Sequence, residues 1–315
     1  MKQARSAFAY FIYVAFFPTL TILPQQLFAW GVLGHETVAE IAKRHMSRSA
    51  WSKAQQILAG EDFVEVSSWA DHVRPTHAYH HTSAYHHSNI SDHMSYLQGL
   101  DQEDHSELEK GDVVMAILRG ASILRNNPSS GEEKHLALKF LIHFIGDAHQ
   151  PLHTGPPENR GGNDVMVNWF GKQMKLHALW DSTIFEVAHV RDFGPLTARQ
   201  RAGWYADYLE SNVSDTAPRE GFSDPLTLVE QSLRQRENCF SGYQGDNQAY
   251  IAKALPVIET QLKAAGYRLA SMLNDLFDRP ANEWPEETAL RQGINRITNR
   301  NLSQDFESLI VLGPQ

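Results

Sequence analysis

The segment from His143 to His153, with the sequence HFIGDAHQPLH, constrains the fold of this chain more than any other. It carries three histidines and one carboxylate, and an apolar stretch precedes it. His143 and Asp147 are four residues apart, so on a helix both side chains lie on one face and can bind the same ion. The pattern therefore predicts a helix over residues 132–150 that carries part of a metal site.

A second pair with the same spacing, His177 and Asp181, follows 24 residues after His153. One such pair on its own is more typical of a surface ion pair, but two pairs with a histidine between them indicate a metal site. Imidazole and carboxylate ligands without thiolate suit catalytic zinc rather than a closed, cysteine-rich structural site. The single cysteine, Cys239, excludes an intrachain disulfide.

The N-terminus has the pattern of a secretory signal peptide. A basic start precedes an apolar run over residues 7–17, which is too short to span a bilayer and is followed by Pro18. We expect a signal peptide over residues 1–29, with cleavage after Ala29 and Trp30 as the first mature residue. The mature protein is then secreted or periplasmic, without stable membrane association; an uncleaved anchor helix is the alternative.

The net charge of −9 excludes the basic stripe with which many proteins bind duplex DNA. If the protein acts on phosphate esters, the positive charge at the site has to come from bound metal ions. Such ions dominate the local electric field even inside an acidic protein.

Helical periodicity dominates the chain after residue 30. The predicted helices cover residues 35–46, 49–59, 114–124, 132–150 and 251–276. The last of these contains Pro256, where we expect a kink. Only residues 165–170 suggest strand pairing, in a short hairpin. We therefore predict a single all-α domain over residues 30–315, in which a glycine-rich loop over residues 155–164 lets the backbone approach a ligand closely.

Five motifs occur in an order that is typical of one family. They are Trp30-Gly-Val-Leu-Gly-His35, Trp69-Ala70-Asp71, the 143–153 segment, Gly161-Gly162-Asn163 and His177-x-x-x-Asp181. Together they resemble the tri-zinc, single-strand-specific nuclease and 3′-nucleotidase family, typified by the fungal S- and P-type nucleases and related to the zinc phospholipases C. The motifs cover residues 30–181, and the remainder is matched only by its helical character.

This resemblance implies three zinc ions. The first has the ligands Asp71, His86, His143 and Asp147, the second has Trp30, His35 and the shared Asp147, and the third has His153, His177 and Asp181. Trp30 contributes its α-amine and carbonyl in this arrangement. An α-amine has a pKa of about 7.7–8, so it can deprotonate onto a metal, and cleavage of the signal peptide becomes part of site assembly.

His86 has to be chosen from a loop over residues 72–93 that holds seven histidines. The family pattern fits the run from Tyr85 to Asn89 best, and His81 is the alternative ligand. By resemblance, His87 and Asn89 contact the substrate base, and we add Asn163 as a further substrate contact. His149 lies between ligands but is expected to form a supporting hydrogen bond rather than to bind metal.

The expected reaction is cleavage of single-stranded DNA or RNA to 5′-phosphate products, with removal of phosphate from 3′-nucleotides. A bridged zinc pair lowers the pKa of a shared water and supplies hydroxide at neutral pH. Asp71 and Asp147, which hold that pair, and Arg74, which can contact a phosphate oxygen, are the predicted catalytic residues. No obligate protein partner is expected. The alternatives are a zinc-dependent phospholipase C and a non-catalytic zinc-sequestering protein.

Overall fold

A computed structural model describes residues 30–102, 110–125, 129–214, 225–280 and 310–315 of the chain. The signal peptide predicted over residues 1–29 lies outside these ranges. None of the helices in them combines the length and the apolarity that crossing a bilayer requires.

The described residues form an all-α fold with one small hairpin, which confirms the predicted class. The α-helices are α1 (Val32–His45), α2 (Arg48–Leu58), α3 (Trp69–Val73), α4 (Tyr96–Gln102), α5 (Val113–Arg125), α6 (Gly131–Asp147), α7 (Leu176–Ala178), α8 (Ile184–Ala188), α9 (Val190–Phe193), α10 (Ala198–Asn212), α11 (Pro225–Phe240) and α12 (Asn247–Asp278). Shorter 3₁₀ turns cover Glu65–Ser68, His80–His86, Pro151–Thr154 and Pro157–Asn159, and a π-helix over Leu179–Thr183 joins α7 to α8. The strands are β1 (Met166–Trp169) and β2 (Lys172–Lys175).

Helix α6 lies at the centre of the packing, between α5 on one side and α1, α2 and α12 on the others. Its C-terminal half is buried on all sides, which fits the apolar residues around its two polar ligands. The longest helix, α12, packs closely along α1: a Cβ added at Gly266 would lie 2.5 Å from the Cβ of Ile41. The glycine therefore permits a close approach of these two helices.

The start of α6 matches its sequence signals, but its end does not lie where the sequence predicts. Ser130 caps the helix and forms a capping box with Glu133. The predicted end was residue 150, whereas the helix ends at Asp147. The physical reason is Pro151, because the residue before a proline is pushed toward extended backbone, and Gln150 has φ −83° and ψ 114°.

The predicted hairpin is confirmed: β1 pairs antiparallel with β2. The two residues between the strands, Phe170 and Gly171, have φ values of 47° and 84°. Positive φ at both positions is the signature of the type I′ turn, which matches the twist of a two-residue hairpin. The predicted helix over residues 251–276 lies inside α12, which continues through Pro256.

Candidate metal centre

The face of α6 that points inward carries His143 and Asp147, as their spacing predicts. His143 Nε2 lies 3.2 Å from Asp147 Oδ2. The other ring nitrogen of His143 donates to the carbonyl oxygen of Ser67 at 2.7 Å. Because this bond occupies Nδ1, Nε2 faces the carboxylate and is the ring nitrogen that a metal ion can take once it replaces the proton there.

Two further predicted ligands converge on this pair from separate segments. His86, at the end of the 3₁₀ turn His80–His86, places Nδ1 2.9 Å from Asp147 Oδ2 and 3.1 Å from His143 Nε2. Asp71, on α3, places Oδ1 3.8 Å from His143 Nε2 and 3.7 Å from His86 Nδ1. The four residues predicted for the first zinc ion therefore face one another in the folded chain.

The predicted second site lies on the other oxygen of Asp147. His35, on α1, has Nε2 3.4 Å from Asp147 Oδ1. A Cβ added at Gly146 would lie 2.8 Å from His35 Nδ1 and 3.7 Å from Cδ1 of the buried Trp30, so the glycine leaves room for both rings. The amide of Gly31 donates to the carbonyl oxygen of Asp181 at 2.7 Å, which holds the start of the described chain beside the site.

The third group consists of His153, His177 and Asp181. His153 Nδ1 donates to the carbonyl oxygen of His86 at 2.6 Å, and His177 Nδ1 donates to that of Gly161, also at 2.6 Å. The Nε2 atoms of the two rings are 3.2 Å apart, and His177 Nε2 lies 3.6 Å from Asp181 Oδ2. This group adjoins the first one, since His153 Nδ1 is 3.9 Å from an oxygen of Asp147.

Two features around Asp181 are not visible in the spacing of its motif. The residue lies in the π-helix Leu179–Thr183 rather than in a regular α-helix, a distortion that is frequent at functional sites. In addition, Gln150 donates its amide to Asp181 Oδ1 at 2.6 Å and accepts the amide of Leu152 at 2.7 Å. Gln150 therefore fixes the carboxylate so that Oδ2 faces His177.

Two glycines of the 155–164 loop lie very close to other parts of the chain. Gly161 has φ +58°, and a Cβ there would lie 2.2 Å from the carbonyl oxygen of Leu152. A Cβ at Gly155 would lie 2.3 Å from the Cα of Gly161. These glycines let the chain approach itself closely, and the resulting tight loop presents the Gly161 carbonyl to His177. The approach of this loop to a ligand stays a prediction.

Burial keeps most of the clustered imidazoles in the neutral form that binds metal. It lowers the pKa of His35 to about 4, of His86 to about 3 and of His177 to about 4. His143 differs: burial opposes its charge, but the carboxylate of Asp147 and its neighbours outweigh burial and raise the pKa of His143 to about 9. The cluster around Asp147 thus attracts one positive charge, which a divalent cation can supply.

The chemistry of these donors fits bound cations. Both ring nitrogens of His35, Oδ1 of Asp71 and Oδ1 of Asp147 are buried and have no hydrogen-bond partner among the described residues. His153 and His177 both carry their proton on Nδ1, so two lone pairs face each other across 3.2 Å. Such an arrangement is repulsive unless a cation lies between the nitrogens, and the all-nitrogen and oxygen donor set suits zinc.

The histidine-rich loop contributes one residue to this cluster. Of its seven histidines only His86 is buried. His81, the alternative ligand, instead donates Nε2 to the carbonyl oxygen of Val311 at 2.9 Å. Val311 belongs to the C-terminal segment over residues 310–315, whose Ile310 and Leu312 are buried. The geometry therefore favours His86 over His81.

Comparison with known proteins agrees with this geometry. The family model described as "S1/P1 Nuclease" matches residues 30–278. Nuclease S1 of Aspergillus oryzae is 30% identical over 277 residues, which cover 82% of this chain and 96% of that protein. Nuclease P1 of Penicillium citrinum is 30% identical over 268 residues, covering 78% and 97%, and Endonuclease 2 of Arabidopsis thaliana is 28% identical over 270 residues, covering 79% and 90%.

The chain belongs to the S1/P1 nuclease family. It is accordingly a nuclease, a hydrolase of phosphodiester bonds from a zinc-dependent family. This membership favours the nuclease over the two alternatives, a zinc phospholipase C and a zinc-sequestering protein.

Among the predicted catalytic residues of this S1/P1 nuclease, Arg74 adjoins the cluster. The predicted substrate contacts follow His86 in the chain or belong to the 155–164 loop. Arg74 has Nη1 3.4 Å from Asp71 Oδ1, and its side chain is 20% exposed. His87 and Asn89 follow the predicted ligand His86 in the chain, and both side chains are half-buried. Asn163 donates its amide to the carbonyl oxygen of Arg160 at 3.0 Å. The Arg74 side chain is therefore accessible to solvent while it contacts the predicted ligand Asp71.

Hydrogen bonds of His149 hold the C-terminal end of α6 in place. It is fully buried, donates Nδ1 to the carbonyl oxygen of Ile145 at 2.6 Å, and accepts from the guanidinium of Arg268 at 2.6 Å. The adjacent carbonyl oxygens are also bonded: that of Ala148 accepts from Ser232 at 2.5 Å, and that of His149 accepts from Gln261 at 2.7 Å. Side chains of α11 and α12 thus cap the turn that follows Asp147.

We expect Asp147→Asn and His149→Ala to separate metal binding from support of this turn. Asp147→Asn removes the carboxylate charge that three imidazoles contact, so the two ions predicted to share this residue and the nuclease activity are lost. His149→Ala keeps the ligands but deprives Arg268 of one acceptor, so the free energy of unfolding falls by about 1–3 kcal/mol while zinc content stays near the wild-type value. Metal analysis and urea unfolding measure the two effects, and equal zinc loss in both variants contradicts the distinction.

Gly161→Ala is expected to weaken the group formed by His153, His177 and Asp181. The new Cβ collides with the carbonyl of Leu152, so the loop shifts and withdraws the Gly161 carbonyl from His177. Gly171→Ala is the matched control, because Gly171 has φ +84° and open space around its Cβ position. In both variants the left-handed backbone lowers the free energy of unfolding by about 1–2 kcal/mol. Only Gly161→Ala is expected to lose about one zinc per chain in metal analysis. Equal zinc content in the two variants refutes the role of the loop.

Proposed function

We propose that this S1/P1 nuclease cleaves single-stranded DNA and RNA to 5′-phosphate products and also releases phosphate from 3′-nucleotides. The observation that carries the proposal is the convergence of eight buried histidine and aspartate ligands next to the accessible Arg74. The names of its relatives support it, since those proteins are called nucleases and endonucleases.

We further propose that the site holds three zinc ions. The proposed ligands are Asp71, His86, His143 and Asp147 for the first, Trp30, His35 and Asp147 for the second, and His153, His177 and Asp181 for the third. Bound zinc supplies Lewis acidity, which activates water and polarises phosphate oxygens at neutral pH. Asp147 is shared because its two oxygens face different imidazoles, at 2.9 Å and 3.4 Å.

The remaining roles belong to the side chains beside the ligands. Arg74 donates from its guanidinium to a non-bridging phosphate oxygen and stabilises the charge that develops there. Asn89 offers an amide to the edge of a base, and His87 offers a ring against its face. A base that makes these contacts has to leave the helical stack, so single strands are preferred.

Export is part of the proposal, because the second zinc needs a free α-amine. In the full chain the nitrogen of Trp30 is part of the peptide bond with Ala29, and only cleavage after Ala29 releases it. Two observations support this start: the signal-like residues 1–29, and the family match, which begins at residue 30.

A substrate panel tests the proposed activity. The mature protein starting at Trp30 is assayed on single-stranded DNA, the same sequence as a duplex, 3′-AMP and phosphatidylcholine. We expect the single strand to be cleaved at least about tenfold faster than the duplex, because unpairing and unstacking a base costs a few kcal/mol. We also expect 3′-AMP to be hydrolysed, phosphatidylcholine to remain intact, and chelation to abolish activity until zinc is restored. Equal cleavage of single strand and duplex contradicts the proposal.

Extension of the chain before Trp30 tests the N-terminal ligand. A protein with Met-Ala in front of Trp30 keeps every side chain of the site but replaces the amine with an amide, a far poorer ligand. We expect it to bind about one zinc fewer and to lose most of its phosphodiesterase activity. Its helical circular dichroism should match that of protein processed at Ala29. Equal zinc content and rates in the two preparations refute the ligand role of Trp30.

A further inference from the structure

A cavity of about 690 Å³ opens beside α11, away from the proposed zinc ligands. Its walls come from α11 and from the segments 92–95 and 156–159. We propose that this cavity binds a nucleotide of the substrate strand, distinct from the nucleotide at the metal centre. This inference rests on the proposed function, because it assigns a second subsite to the same single-stranded substrate.

The position of the cavity follows from two chain segments that lead away from the metal centre. They lie side by side, since the amide of Ser88 donates to the carbonyl oxygen of His153 at 2.7 Å. One step further along, the buried Arg236 donates to the carbonyl oxygens of Thr154, at 2.7 Å, and of Ile90. The next residues of both segments form the cavity walls. Its first residue, Asp92, is three residues from Asn89, which is at most about 11 Å of chain.

The lining suits a nucleotide in both size and chemistry. Ligand cavities commonly measure about 300–1,000 Å³. Met94, Leu233 and Phe240 provide an apolar wall with one aromatic ring, on which a base can stack. Arg234 is exposed at the same wall and can meet a phosphate.

Most of the acidic residues that line the cavity are already engaged. Asp92 accepts from Arg236 at 2.7 Å, and Glu230 accepts from the amide of Tyr96 at 2.7 Å. The guanidinium of Arg236 offsets the negative charge of Asp92, and the amide of Tyr96 holds the carboxylate of Glu230 in place. Glu237 is then available to accept from a ribose hydroxyl or from an amino group of the base.

A positive side chain also follows the cavity lining in the chain. Arg160 follows Asn159, which lines the cavity, and its side chain is 70% exposed. Arg74, whose Nη1 lies 3.4 Å from Asp71 Oδ1, supplies a second guanidinium at the metal centre itself. A strand that runs from Arg74 past Arg160 to Arg234 would meet a guanidinium group at each step.

The test compares substrates that can and cannot reach the cavity. We measure kcat/KM for a dinucleotide and for a pentanucleotide with the zinc-loaded protein and with Arg234→Ala and Phe240→Ala. The ratio of pentanucleotide to dinucleotide kcat/KM is expected to fall about five- to hundredfold in Phe240→Ala, the effect of one lost base stack. Arg191→Ala removes an exposed arginine that does not line the cavity, and it should leave both rates unchanged.

Salt dependence gives a second measurement, which does not depend on the stability of the Phe240 variant. Each phosphate contact to a single strand contributes about 0.7 to the slope of log affinity against log salt concentration. Arg234→Ala should therefore reduce the slope measured for the pentanucleotide KM by about that amount, and Arg191→Ala should not. If the wild type cleaves neither substrate, the proposed function fails. If it cleaves both and neither cavity variant changes the ratio or the slope, the cavity proposal alone is overturned.

Discussion

The buried carboxylate of Asp147 sets the conditions that the rest of the site has to meet. Its oxygens lie 2.9 Å, 3.2 Å and 3.4 Å from nitrogens of His86, His143 and His35, which come from three separate segments. A negative charge at this depth is costly unless a cation compensates it. The helices therefore pack around a position that needs positive charge, and the proposed zinc ions meet this need.

The parts of this fold that sequence predicts are those that depend on local pattern. Periodicity gives the main helices and the hairpin, and the spacing of His143 and Asp147 gives the ligand face of α6. The end of that helix is harder to predict, because apolar residues continue to Leu152 while the backbone restriction imposed by Pro151 acts earlier. The same restriction places His149 and Gln150 in a turn rather than on the helix.

The remaining features depend on contacts between residues far apart in sequence, and no local pattern reveals them. Gln150 bonds Asp181, which is 31 residues further along the chain. Arg268 looks like a surface residue of an amphipathic helix, yet it is 2% exposed and bonds His149. The cavity at α11 likewise combines segments that are more than sixty residues apart, so composition and spacing give no signal for it.

The bonds that α11 and α12 make to the turn after Asp147 have a consequence for the order of folding. The proposed ligands begin at Trp30 and end at Asp181, but the side chains that hold their central turn extend to Arg268. Contacts over such separations form only after long loops have closed, which makes them late events in folding. A chain that stops before α12 has all the proposed ligands but lacks Gln261 and Arg268, which bond the turn after Asp147. Retention of the proposed zinc ions would thus be a measure of completed folding, because the turn that carries their ligands is bonded by the last long helix.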